Sequence, residues 1–217
     1  MAYNTVIFDM DGTVLNTLDD LAAAVNAALA HAGLPPVTLE KVRASVGNGV
    51  LVLMDQMLPW PREDARYQEV AAWYRRYYAA HNLMETKPYP GILDLLEQLR
   101  RRGVTMAVVS NKPDEAVGPL SRHFFGDYMA VSMGEHAGLR RKPYPDMVQE
   151  VLRQLGKTPA ECLYVGDSEV DRATAENAGL DCASVTWGFR DRAQLAALGP
   201  KFLLDRPEEL LAVFDRG

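Results

Sequence analysis

Thr5-Val6-Ile7-Phe8-Asp9-Met10-Asp11-Gly12-Thr13 is an apolar run that stops on two carboxylates and a glycine. A short, continuous run of this kind reads as a strand buried on both faces, the mark of a parallel sheet covered by helices. Two acids two residues apart at the end of such a strand are costly unless paired or bound to a cation. Ligand sites of open α/β sheets lie at that end of the strands, and Gly12 lets the backbone turn away sharply. The plainer alternative for Asp9 and Asp11 is a polar turn carrying two solvated carboxylates.

Working outward, further strands are expected at Thr105–Val109, Met129–Val131, Cys162–Val165 and Ala183–Thr186, with Thr5–Phe8 as the first. Helices fall between them: Ile92, Leu95, Leu96 and Leu99 form one apolar face, and Met147, Val148, Val151, Leu152 and Leu155 another, with Gly103 and Gly156 as stop signals. The alternation implies an α/β fold, a Rossmann-like, mainly parallel sheet flanked by helices. It breaks between Thr17 and Met84, where only helical periodicity is found. The expected organisation is therefore a core of residues 1–16 and 85–217 with a small α-helical insertion, 17–84, after the first strand. The aromatic stripe Tyr67, Tyr74 and Tyr78 could bind a ligand but is read first as the insertion's own small core.

Composition narrows the classes. The 217 residues are 48% hydrophobic and 24% charged, ordinary for a globular protein. A net charge of −6 disfavours nucleic acid as a partner. No apolar run is long enough to span a bilayer, and Met1–Asn4 lacks a basic n-region, so no membrane association and a cytoplasmic location are expected. Cys162 and Cys182 are read as buried thiols. His31, His81, His123 and His136 lack the spacing of a metal site.

Three more strand ends carry polar chemistry. Ser110-Asn111-Lys112 follows the second long strand and offers a hydroxyl, an amide and an ammonium, although Ser-Asn is also common turn chemistry. Lys142 precedes Pro143, which restricts its backbone, while Arg140 and Arg141 are read as a solvated basic face. Gly166-Asp167-Ser168-Glu169-Val170-Asp171 again ends a strand in a carboxylate, with Asp171 one helical turn beyond Asp167 on the same side. Acid pair, serine, lysine and acid pair, each at a strand end, are the parts that phosphoryl transfer needs.

In that order the four segments resemble the haloacid dehalogenase superfamily over essentially the whole chain, and the helical insertion is similar to its small cap. Val46-Gly47-Asn48-Gly49, Ser110-Asn111-Lys112-Pro113 and Thr186-Trp187-Gly188-Phe189 are most similar to its phosphoglycolate phosphatase branch. The resemblance implies that Asp9 attacks phosphorus to form an aspartyl phosphate, while Asp11 protonates the leaving alkoxide and then helps activate water. It implies Mg²⁺ held by the Asp9 side chain, the Asp11 carbonyl and Asp167, with Asp171 orienting the metal's waters. Ser110 would bind a phosphoryl oxygen and Lys142 would neutralise charge, with Gly12, Thr13 and Asn111 completing the phosphate site. Asn16-Thr17 stands where the family often has Asp-Ser, beside the hinge into the cap.

The implied partner is a small phosphorylated metabolite, 2-phosphoglycolate first, hydrolysed by a monomer or homodimer. In the cap, Gly47-Asn48-Gly49 and Arg43 are candidates to meet a small anionic tail; the Gly-Asn-Gly segment reads equally as a turn between helices. Asp11 argues against carbon–halogen cleavage. Phosphonate cleavage would need a cap lysine, and the insertion offers only Lys41. A sugar-phosphate phosphatase or mutase, a pyrophosphatase, and a phosphate-binding protein without turnover are the alternatives.

Overall fold

The structure is a computed structural model that describes residues 3–215. Met1 and Ala2, where the leader reading begins, and Arg216 and Gly217 lie outside the described residues. In chain order the strands are β1 (Thr5–Phe8), β2 (Leu15–Asn16), β3 (Lys87–Pro88), β4 (Thr105–Pro113), β5 (Val131–Glu135), β6 (Cys162–Gly166), β7 (Asp181–Val185) and β8 (Phe202–Leu204). The helices are α1 (Leu18–His31), α2 (Leu39–Ser45), α3 (Val50–Met57), α4 (Ala65–His81), α5 (Ile92–Arg101), α6 (Asp114–Phe125), α7 (Asp146–Leu155), α8 (Glu169–Ala178), α9 (Arg192–Ala197) and α10 (Glu209–Phe214).

Six strands make one sheet in the order β5-β4-β1-β6-β7-β8, and all its pairings are parallel. From β1 the chain builds β4 and β5 on one side, then returns to build β6, β7 and β8 on the other. The order reverses at β1, and a crevice opens beyond its carboxyl end.

An all-apolar strand feeds two cores. Val6 and Phe8 pack with Leu95, Leu96 and Leu99 of α5, while Ile7 packs on the opposite face with Met147, Val148 and Val151 of α7. The strand alternates with period two, and the helices meet it with apolar residues three and four apart. Full burial of such side chains stabilises by roughly 1.5–3 kcal/mol each, more than the helices' own propensities supply. Gly156, at φ +64°, ends α7 in the left-handed conformation that glycine adopts without strain.

Several strands differ from the expected ones. β5 runs over Val131–Glu135 rather than Met129–Val131. It is an edge strand, so Ser132, Gly134 and Glu135 need not be apolar, and periodicity misplaces it. β4 continues four residues past Val109 to Pro113, and Val109↔Met133 and Pro113↔Glu135 spend four steps on β4 against two on β5. The extra residues bulge the strand at Ser110–Lys112 and re-aim their side chains. β7 is Asp181–Val185, starting two residues before the expected Ala183 and ending one before Thr186. The short strands β2, β3 and β8 carry no periodic signal and were not anticipated.

The helices α1–α4 build a third core of their own, in which Leu21, Val25 and Leu29 meet Tyr67, Val70 and Tyr74. The chain enters this unit after β2 and leaves it before β3, and these two strands pair antiparallel as a stem, Leu15↔Pro88 and Asn16↔Lys87. Asp20, buried in the first turn of α1, accepts the backbone N–H groups of Met84, Glu85 and Thr86 at 2.9–3.1 Å and the Thr86 hydroxyl at 2.7 Å. That carboxylate ties the entering segment to the leaving one.

Candidate active site

β1 delivers Asp9 to the centre of the crevice because its ladder continues one residue past Phe8: Asp9 N donates to Val165 O at 2.9 Å. The chain then folds over Met10, whose carbonyl accepts the N–H groups of Val14 and Leu15. Gly12 sits in this turn at φ +86°, and a Cβ there would lie 2.3 Å from Asp167 Oδ2. Gly188, in the loop after β7, is equally confined, since its Cβ would meet the Gly12 carbonyl at 2.3 Å and Asp167 Oδ2 at 2.4 Å. The loops after β1, β6 and β7 can therefore close on Asp167 only with glycine at both places.

Four charged groups converge beneath. Lys142 Nζ lies 2.7 Å from Asp9 Oδ1 and 2.8 Å from Asp171 Oδ1, with all three side chains buried. Burial opposes the charge on Lys142, but the Asp171 and Asp9 carboxylates outweigh it and hold its pKa well above the ordinary lysine value. Burial, reinforced by the Asp171 charge, pushes the Asp9 carboxyl well above the usual range against the pull of Lys142. Asp167 is pushed up to about 7, by burial first and by Asp171 second.

The oxygens of Asp9, Asp167 and Asp171 lie within 4.8 Å of one another. Three buried carboxylates share one ammonium, so the cluster is short of positive charge. A hard dication with oxygen ligands fits this donor set. Both Asp171 oxygens are already engaged: Oδ1 by Lys142, and Oδ2 by Ser168, whose N–H and hydroxyl donate at 3.1 and 2.6 Å in the capping box of α8. Asp167 takes fewer donors, the Phe189 N–H on Oδ2 at 2.6 Å and the Thr13 hydroxyl on Oδ1 at 3.4 Å, so Asp171 positions Lys142 and leaves Asp9 and Asp167 as the side chains better able to hold a metal.

Asp11 faces the other way. Its Oδ1 accepts the Thr17 hydroxyl at 2.7 Å and lies 3.2 Å from Lys112 Nζ. Ser110, buried, accepts the Lys112 N–H on its Oγ at 3.2 Å, which leaves its own hydroxyl to donate. Asp11, Ser110 and Lys112 line a small cavity between the sheet's carboxyl edge and the helical unit, together with Asp9, Asn111, Gly47, Gly49, Tyr74 and Tyr78.

Other expected site residues stand differently. The Asn111 amide is spent on backbone, donating to Gly47 O and Lys142 O at 3.0 Å and accepting from Lys142 N at 2.8 Å. It clasps the Gly47 loop to the Lys142 loop. The Thr13 hydroxyl supports Asp167 at 3.4 Å rather than facing the cavity. Gly47 and Gly49 line the cavity, but Asn48 between them does not. Arg43 is turned away from it: its guanidinium donates to the carbonyls of Phe189 at 2.8 Å and Gly188 at 3.2 Å.

Beyond Lys112, whose ammonium the sequence already offers beside Ser110, the structure places further residues in or around this site. Lys112 and Tyr78 meet through a short hydrogen bond at the cavity wall. Spacing held the signal, for Lys112 is two residues from Ser110 along a strand and Tyr78 one turn from Tyr74 along a helix. Tyr164, whose hydroxyl is 3.2 Å from Lys142 Nζ, looks like any core aromatic in the sequence. Arg190 pairs with Glu169 at 2.8 Å and donates to Val46 O at 3.1 Å, joining the helical unit to the loop after β7.

The comparisons agree with this architecture. The family model described as haloacid dehalogenase-like hydrolase matches residues 6–185. Phosphoglycolate phosphatase 1 of Pseudomonas aeruginosa is 36% identical over 97% of this chain and 79% of its own length. Phosphoglycolate phosphatase of Pseudomonas putida is 37% identical over 95% and 78%. A solved structure from Lactobacillus delbrueckii subsp. bulgaricus superimposes with a TM-score of 0.92 at 37% identity, covering 99% of both chains. CbbY from Rhodobacter sphaeroides, solved in complex with phosphate, gives 0.82 at 26% identity over 99% of this chain and 100% of its own. With a match from the first strand to the end of β7, this chain belongs to the haloacid dehalogenase-like hydrolase family.

Proposed function

We propose that the protein is a Mg²⁺-dependent phosphatase of small phosphomonoesters, 2-phosphoglycolate first among them, working through an aspartyl-phosphate intermediate. The observation that carries this reading is the division of labour between the two acids of the first loop. Asp9 lies against Lys142 at 2.7 Å, whereas Asp11 is separately paired with Lys112 and Thr17. On this reading Asp9 attacks and Asp11 handles protons.

An Asp9 oxygen attacks phosphorus and the ester P–O bond breaks, with Asp11 giving its proton to the departing alkoxide. Water then attacks the phosphoryl group on Asp9, Asp11 takes a proton back, and the Asp9 carboxylate is released with phosphate. Lys142 and the Ser110 hydroxyl stabilise charge on the phosphoryl oxygens. Asp9, Asp167 and the Asp11 carbonyl would hold a Mg²⁺ ion, which would further neutralise that charge. Arg190, Arg43 and Asn111 hold the helical unit over the cavity by donating to backbone carbonyls, which excludes bulk water.

The names of the Pseudomonas relatives support the choice of substrate. The small cavity supports a small ester. We take the protein to act as a monomer or homodimer, and no described helix is long and apolar enough to cross a membrane. We place the enzyme in the cytoplasm, where its two free thiols stay reduced.

Phosphate release from a panel of small esters and pyrophosphate, with and without Mg²⁺, tests the reading. Mg²⁺-dependent release with a marked preference for 2-phosphoglycolate is expected. Absence of Mg²⁺-dependent release from every ester would overturn it.

A further inference from the structure

Among the charged side chains that line the cavity, two are carboxylates, Asp9 and Asp11, and one is a cation, Lys112. Lys142 stands behind Asp9 and serves the phosphoryl side. Lys112 is only 6% exposed. Its ammonium has three N–H donors, and Asp11 at 3.2 Å and the Tyr78 hydroxyl account for two. One turn from Tyr78 on α4, Tyr74 also lines the cavity, and its hydroxyl is fully buried with no hydrogen-bond partner among the described residues. The two rings lie parallel, 5.9 Å apart, and both line the same cavity. A buried hydroxyl without a partner costs free energy and calls for a ligand or a water.

The rest of the wall offers little else to a negative charge. Leu21, Val46, Val50 and Leu53 are apolar. Arg43 is committed to the loop carbonyls at residues 188 and 189. Lys112 follows Ser110 by two residues, so their Cα atoms are at most about 7 Å apart even on the bulged stretch of β4. An anion bound at both places must be short.

We propose that Lys112, with the Tyr74 hydroxyl as second donor, determines specificity by receiving a carboxylate on the substrate's organic tail. The substrate class is then a phosphomonoester with a carboxylate one or two carbons from the ester oxygen. This rests on the phosphatase reading above and assigns the group that selects within it. A neutral tail of the same length offers the Lys112 ammonium no opposite charge.

The test compares 2-phosphoglycolate with 2-hydroxyethyl phosphate, which replaces the carboxylate by a neutral group, on wild type, Lys112→Met, Lys112→Arg and Tyr74→Phe. The readout is the ratio of kcat/KM for the two esters, because loss of the Asp11 contact lowers both values alike. Lys112→Met is expected to narrow the ratio about 10- to 100-fold, the worth of a hydrogen bond to a charged group. Lys112→Arg should retain most of the preference. Tyr74→Phe, which removes a single atom and keeps the test open if the methionine variant does not fold, should narrow the ratio several-fold. Equal losses on both esters would overturn the proposal and leave Lys112 as a partner of Asp11, with the phosphatase reading intact. Wild type turning over both esters equally would overturn it as well. No release from either ester would sink the phosphatase reading itself.

Discussion

The Lys142 ammonium is held 2.8 Å from Asp171 Oδ1, and the same carboxylate closes the capping box of α8 through Ser168. Asp171 thus does two jobs at once. It fixes the start of a helix and, through it, the place of the cation beside Asp9. Lys142 is positioned by secondary structure, and a change at either end of this contact propagates to the other.

Lys142→Met leaves Asp9 and Asp171 buried without their shared cation. Removing one partner of a buried ion pair costs about 3–5 kcal/mol, and the metal-free protein should lose that much. Urea unfolding at neutral pH measures it. A loss under about 1 kcal/mol would mean that the two carboxylates do not depend on Lys142.

Gly12→Ala should disable the proposed metal site although it replaces none of the proposed ligand residues. Its Cβ would lie 2.3 Å from Asp167 Oδ2, and the residue sits at φ +86°, so Asp167 has to move. Mg²⁺ at about 100 times its Kd should raise the wild-type Tm by roughly 5–10 °C, from about 2.7 kcal/mol of linked stability. The variant should show almost none of this rise. Equal shifts in the two proteins would remove Asp167 from the metal site.

Much of the fold and site was legible because buried strands with two apolar faces leave continuous runs, as in Thr5–Phe8 and Cys162–Val165. The polar residues that follow them mark the crevice. β5 was misplaced because an edge strand does not need apolar residues on both faces, and Ser132 and Gly134 break its run. Arg43 was assigned to the cavity on charge alone, yet the guanidinium found carbonyl acceptors across the interface. Lys112 and Tyr78 are neighbours only once the helical insertion folds back on the sheet, 34 residues apart in sequence. Tertiary closure of that kind leaves no mark in local periodicity.

The free cysteines provide an independent check on burial. Desolvation pushes the Cys162 thiol up to about 11 and the Cys182 thiol up to about 12. The thiolate is the reactive form, so a raised pKa removes it near neutrality. At pH 8 alkylation of the native protein should be on the order of 10²–10³ slower than in denaturant. Rapid labelling of either thiol in the folded state would contradict the sheet interior described above.

The most direct test of the central claim is turnover by Asp9→Asn, measured as phosphate release alongside the Tm. The substitution preserves shape and removes the nucleophile. The mechanism expects turnover to fall by on the order of 10⁴-fold or more while the protein remains folded. A folded Asp9→Asn protein with near-normal turnover would show that Asp9 does not attack phosphorus.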